Sequence, residues 1–150
     1  MKVLFDVLMD SHGNTQSYCL GALCNIINHL QGMNVLLNSQ ENLKYLYSLV
    51  HSNTLSVCRQ TLELLISACT FDEKAGIKIY DAAKSIANEK DEVPFQFLVK
   101  LVSSGDLDTQ VNSLTLINTL LQTAAEEQRK EMQDYLEDQL SLRDILKVLL

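Results

Sequence analysis

Three stretches of this 150-residue chain share one register, and that coincidence restricts the fold more than any total does. With Thr15, Thr54 and Thr109 placed in one column, Cys19, Cys58 and Ser113 come four residues later. Leu23, Leu62 and Ile117 follow after four more, and the pairs Ile26-Ile27, Leu65-Ile66 and Leu120-Leu121 close each set. Counted from the cysteine column, small or apolar residues recur at i, i+4, i+7 and i+8, the buried stripe of an amphipathic helix. One such helix is common, but three in register are a repeat. The periods are 39 and 55 residues. The first is near the ~40 residues of an armadillo or HEAT unit, and the second is such a unit with an insertion, expected at 72–93.

The residues before each column repeat as well. LFDVLMDSHGNTQ (4–16) aligns without a gap on LVKLVSSGDLDTQ (98–110), which sets Leu4, Val7 and Leu8 on Leu98, Leu101 and Val102. In YLYSLVHSNT (45–54), Leu46, Leu49 and Val50 take the same part. Each unit therefore reads as a shorter helix, a polar turn and a longer helix, with Thr54 and Asp108 as expected N-caps. Further helices are expected at 33–49, at 73–88, at 95–103 with Pro94 in the first turn, and at 126–140 with Met132, Tyr135, Leu136 and Leu140 inward. The fold class expected is all-α: an armadillo/HEAT-like, right-handed superhelical solenoid of about three repeats, forming one domain over 1–150 with approximate units 1–38, 41–90 and 94–150. The abrupt start at Met1 and the uncapped end at Leu149-Leu150 read as a fragment of a longer protein.

Composition narrows the function. Five Gly and one Pro suit helices better than a many-turned sheet. No apolar run approaches the ~20 residues of a membrane span, and no signal peptide is legible. A formal charge of −7 disfavours a nucleic-acid ligand and suits a partner with a basic segment. Cys19, Cys24, Cys58 and Cys69 form no C-x-x-C pair and are expected as reduced thiols; the three histidines lie at no metal-ligand spacing to them. With no phosphate loop, nucleophile motif or ligand cluster, no enzyme activity and no cofactor or metal is expected. Glu126-Glu127 reads as a helix-start charge pair.

The helix positions opposite the stripe are Ser17, Gly21, Cys24 and Asn28; Ser56, Gln60, Glu63 and Ser67; and Val111, Thr115, Asn118 and Gln122. A merely solvated face is rich in Lys and Glu, whereas this one carries a single charge. Small side chains and amides leave room for, and hydrogen bonds to, another backbone. Such a face suits an amphipathic partner helix. Asn118 therefore belongs to an outward surface although leucines surround it.

Three stretches resemble the formin homology 3 region, the N-terminal inhibitory domain of diaphanous-related formins. CLGALCNIINHLQGMNVLL (19–37) is similar to that family's helix ending in an Asn doublet, here Asn28-His29, followed by Gly32. DEVPFQFLVKLV (91–102) resembles its acidic lead into the Phe95-Gln96 pair, and LTLINTLLQTAAEEQRKEMQDYL (114–136) its Leu-Ile-Asn helix and charged follower. The resemblance implies an armadillo superhelix whose concave groove binds an amphipathic, basic-flanked autoregulatory helix from the formin's own C-terminal tail. That contact inhibits actin assembly until a Rho-family GTPase relieves it. It implies groove contacts at Glu63, Ser67 and Thr70. Together with the outward face, the expected partner groove is Asn28, Gln60, Glu63, Ser67, Thr70, Asn118 and Gln122, with Asn28 and His29 at the GTPase edge. His29 stands where the family has Asn, and the family's GTPase-binding segment lies upstream, so GTPase binding is expected to be weak here. Actin would be reached only through the rest of the protein, at a cytoplasmic, cytoskeleton-associated location. The alternative reading is an armadillo scaffold of the engulfment-and-motility type in Rho/Rac signalling.

Overall fold

The stripes become helices because each buries its apolar face on a neighbour of the same kind. A computed structural model describes residues 1–149; the expected end at Leu150 lies outside the described residues. Among the described residues the regular structure is ten α-helices and two short turns, with no strand. The fold is thus all-α and of solenoid type. The three in-register stretches are α2 (Gly13–Ile27), α5 (Leu55–Phe71) and α8 (Leu107–Thr123), and α5 packs between the other two. A shorter helix precedes each: α1 (Lys2–Asp10), α4 (Gln40–Ser48, extended by a 3₁₀ turn at Leu49–His51) and α7 (Gln96–Val102). Helix α3 (Leu30–Leu37) links α2 to α4, and α6 (Glu73–Lys90) packs on α4, α5 and α8. The chain continues through α9 (Glu126–Asp134) and α10 (Leu142–Leu149).

The expected core is largely the core. Cys19, Cys58 and Ser113 are buried, as are Leu23, Leu62 and Ile117. Buried hydroxyls are satisfied within their own helices: Thr61 Oγ1 donates to Val57 O and Ser113 Oγ to Thr109 O, both at 2.7 Å. Two apolar positions depart from expectation. Val7 is 45 % exposed because its edge of α1 faces no neighbouring element, while Phe5 and Leu8 point inward. Ile26 is 37 % exposed because α2 ends one residue later and Ile27 takes the core position.

Helix ends correct three further expectations. Asp106, not Asp108, caps α8: its Oδ2 accepts from Thr109 N at 2.9 Å, and the same carboxylate is held by Arg59. Asp108 sits in the first turn, 3.6 Å from Arg59 Nη1. Thr54 does hold the N-cap position of α5, though without a side-chain cap bond. Pro94 lies before α7 rather than in its first turn, because Phe95 turns left-handed at φ 68°. That conformation costs on the order of 1–3 kcal/mol. It carries the Phe95 ring into the core, 5.4 Å from Tyr80 and 6.4 Å from Tyr135, while Gln96 Oε1 accepts from Val93 N at 3.2 Å. Finally, 126–140 is not one α-helix: Leu140 N donates to Tyr135 O at 3.0 Å, closing a π-helical turn over Tyr135–Gln139. Glu131, one turn earlier, accepts from Lys84, Tyr80 and Tyr135, which ties this turn to α6.

Two glycines are set by close approach. A Cβ at Gly32 would overlap the Ile26 carbonyl, its carbon lying 2.7 Å away, so α3 can fold back on α2 only without a side chain there. At Gly76 a Cβ would lie 2.8 Å from Thr123 Cβ, where α6 crosses the end of α8.

The layers also meet at a titratable contact. His51, at the end of the 3₁₀ turn, stacks on Phe97 of α7 with centroids 4.2 Å apart, and its Nε2 is 3.4 Å from Glu92 Oε2. Burial holds the imidazole below its ordinary value, and the Glu92 hydrogen bond opposes that shift only in part. The unfolded chain therefore takes up this proton first as pH falls. The contribution to stability is full above the ordinary histidine value of about 6.5 and declines as pH drops through it toward the lowered folded value. The chain is expected to lose urea resistance between about pH 7.5 and about pH 5.5, and His51→Gln to lose less over the same interval. Urea midpoints of both proteins at the two pH values check this.

Candidate partner-binding face

The long helices lie side by side, so their outward residues form a ladder of polar and small groups. Ser17, Gly21 and Cys24 of α2 and Gln60 of α5 are half-buried; Asn28, Ser56, Glu63, Ser67, Val111, Thr115, Asn118 and Gln122 are exposed. Cross-helix contacts knit the first rungs. Ser17 Oγ donates to Gln60 Oε1 at 3.0 Å, and Gly21 meets the same amide. Glu63 Oε1 accepts from Asn112 Nδ2 of α8 at 3.5 Å. Burial, and then the Glu63 charge, push the Cys24 thiol up, which keeps it protonated and neutral at the seam.

Of the residues expected in the groove, Gln60 and Glu63 lie at the centre of this strip. Ser67 and Thr70 continue it along α5, both exposed, and Thr70 Oγ1 is already engaged with Ile66 O at 2.9 Å. Asn118 lies apart from them: it lines a cleft of about 340 Å³ between α8 and α10, walled by Leu114, Ile117, Leu121, Leu142 and Leu146. Gln122 is exposed one turn further on, where Arg129 caps the end of α8 by donating to Leu121 O at 2.9 Å and Ala124 O at 3.3 Å. Asn28 and His29 belong to a corner rather than to the ladder: Asn28 caps the end of α2 and His29 the start of α3, both exposed. Asn112 was not expected in the strip, because it lies between outward-facing Val111 and buried Ser113 of the stripe. The charged groove signal it answers, Glu63, was visible.

The electrostatics are simple. Arg59, the cation beside the strip, is spent on Asp106 and Asp108, and its guanidinium holds the Asp106 carboxyl well below the usual range. That leaves Glu63 as the charge facing outward among the twelve positions. Along α8 the hydroxyl of Thr115 donates to Val111 O at 2.7 Å, so the residue is satisfied within its helix. The surface accordingly offers methyls, amides and one carboxylate with little steric relief. It can take a helix laid across it; no acid–base pair is assembled on it. Among the described residues no group of His, Cys, Asp and Glu has a metal-binding arrangement, and no helix is long and apolar enough to cross a membrane.

The family described as the FHOD1/3 FH3 domain matches residues 13–145. Formin-C of Dictyostelium discoideum is 39% identical over 147 residues, covering 96% of this chain and 12% of that protein. Formin-G of the same organism is 36% identical over 122 residues, covering 81% of the chain and 11% of the relative. FH1/FH2 domain-containing protein 3 of Mus musculus is 27% identical over 124 residues, 81% of the chain and 8% of the relative. The chain thus spans about a tenth of the length of the curated relatives it matches.

Proposed function

The chain belongs to the FHOD1/3 FH3 domain family, and from that premise we propose that it is the regulatory protein-binding domain of a formin. Its ladder of α2, α5 and α8 takes an amphipathic, basic-flanked helix from the same protein's C-terminal tail. Occupation of the ladder restrains actin assembly, and a Rho-family GTPase relieves it by competing at the α2–α3 corner around Asn28 and His29. The observation that carries the reading is the strip itself: small side chains and the Gln60 amide and Glu63 carboxylate, lined up across adjacent helices and left open. An amphipathic helix can approach closely there, with its aliphatic residues over Gly21, Cys24 and the α8 methyls. Its basic flanks meet Glu63 and the net charge of −7.

Ser67 is the position to change, because it is exposed on α5, one turn beyond Glu63, and carries no packing role. Ser67→Asp is expected to leave the fold intact and weaken tail-helix binding by about 1–3 kcal/mol, since it adds bulk and a charge the contact would have to desolvate. Calorimetric titration with a synthetic helix from the tail of the full-length protein measures it. An unchanged affinity for Ser67→Asp, beside a loss from a control substitution on α6, would put the partner elsewhere.

A further inference from the structure

The carboxylate of Glu131, where α9 meets α6, takes no part in the ladder. Tyr80 and Lys84 reach it from α6, one helical turn apart, and Tyr135 reaches it from the first residue of the π turn. Lys84 Nζ donates to Glu131 Oε1 at 2.7 Å and Tyr135 Oη donates to the same oxygen at 3.0 Å, while Tyr80 Oη donates to Oε2. Lys84 first, and then Tyr80, hold the Glu131 carboxyl below its ordinary value, so it is an anion at neutral pH. Among the described residues no other ion pair joins the segment 126–149 to the rest of the chain.

The five tyrosines differ in what surrounds them. Tyr47 and Tyr80 are buried, and Tyr45 is half-buried with its hydroxyl on Leu8 O. Tyr18 is 78 % exposed but has no carboxylate within four residues on either side. Tyr135 is partly exposed and has Glu131, Asp134, Glu137 and Asp138 within that span, with no Lys or Arg among them. Its backbone is also less regular. The α-helix stops at Asp134, and Ser141 turns left-handed at φ 51° before α10. An acceptor on such a stretch opens locally more readily than Tyr18 inside the long helix α2.

We propose that Tyr135 is a phosphorylation site for a tyrosine kinase with a basic peptide groove, and that its phosphate releases α9 from α6. In the transfer Tyr135 Oη gives its proton to the kinase's base and bonds the γ-phosphorus of ATP, while the bond from that phosphorus to the bridging oxygen breaks and ADP leaves. The product has lost the donor that faced Glu131 and carries roughly −1.5 to −2 charge in its place. Two anions then face each other across what was a 3.0 Å hydrogen bond, and the single ammonium of Lys84 does not neutralise both. What still holds the segment is the burial of Met132 and Leu136 and the cap that Arg129 makes on α8.

The test incubates the folded chain with ATP, magnesium and the catalytic domain of a tyrosine kinase that accepts glutamate–tyrosine copolymers. Mass spectrometry maps the phosphate, and amide hydrogen exchange follows the opening of the backbone. Expected are phosphate on Tyr135 ahead of Tyr18 and, in the modified chain, exchange about tenfold faster or more over α9 and the π turn, with α2 and α5 unchanged. Tyr135→Phe keeps the ring and the Lys84–Glu131 pair, so it should take no phosphate here and exchange within about twofold of the unmodified chain. Glu131→Gln removes the repulsion, so phosphorylation should speed its exchange by no more than about threefold. No phosphate on Tyr135 in the folded chain, or its appearance there only in urea, would overturn the site. Phosphate on Tyr135 with α9 exchange unchanged, or with the same acceleration in Glu131→Gln, would overturn the release. The ladder reading is tested separately, since neither the tail helix nor Ser67 enters this experiment.

Discussion

Leu62→Ala should destabilise the chain by about 4 kcal/mol, enough to lower the melting temperature on the order of 10 °C. Leu62 is fully buried at the middle of α5, and α5 is the helix packed against both other long helices as well as α6. Removing its isopropyl group leaves a void that cannot collapse from one side, because Leu23 and Ile117 occupy equivalent core positions in the helices to either side. A stability of roughly 5–15 kcal/mol is ordinary for a domain of this size, so the loss is a large part of the whole. The same truncation at Leu55, half-exposed at the start of α5, should cost far less. Thermal and urea unfolding of the two variants side by side make the measurement. Similar losses at both sites would mean that α5 is not the centre of the core.

Gly32→Ala should cost about 3 kcal/mol although it adds a single methyl group. The methyl would collide with the backbone carbonyl of Ile26, and backbone has no alternative rotamer to adopt. To relieve the overlap α3 must tilt away from α2, and Met33, Leu36 and Leu37 lose contact with the core. The corner at Asn28 and His29 would open with it. Gly32→Ala should therefore show both a lower urea midpoint and altered amide shifts at Asn28 and His29. Gly105→Ala, where a Cβ meets nothing within 4 Å, is the matched control and should be close to neutral.

What the sequence revealed and what it hid divide along physical lines. The long helices were legible because a buried stripe repeats at the helical period, and Leu23, Leu62 and Ile117 are buried as that period requires. Asn118 was legible as outward-facing for the same reason. Helix ends were harder. Asp106 and Asp108 are both acceptable caps by type, and the choice fell to Asp106 through its bond to Arg59 on another helix, 47 residues away in sequence. Phe95 adopts a left-handed backbone because of what its ring touches, Tyr80 and Tyr135, which no local propensity encodes. The π turn after Asp134 follows from a similar long-range tie through Glu131. At the candidate face, Gln60 and Glu63 could be picked out as exceptions to a charged solvent surface. Their partners Ser17 and Asn112 depend on how far one helix is rotated against the next, and that rotation is set by packing rather than by spacing.

The central claim is that the ladder of α2, α5 and α8 holds the tail helix. The most direct measurement is an amide chemical-shift map of the labelled chain titrated with the tail helix of its own full-length protein. Saturable binding is expected, with the largest shifts at Gln60, Glu63, Ser67, Thr70 and Asn112, weakened by salt and by Ser67→Asp. Binding that shifts α1, α4 and α6 while leaving those five residues unmoved would contradict it, and so would a folded chain that does not bind the helix at all.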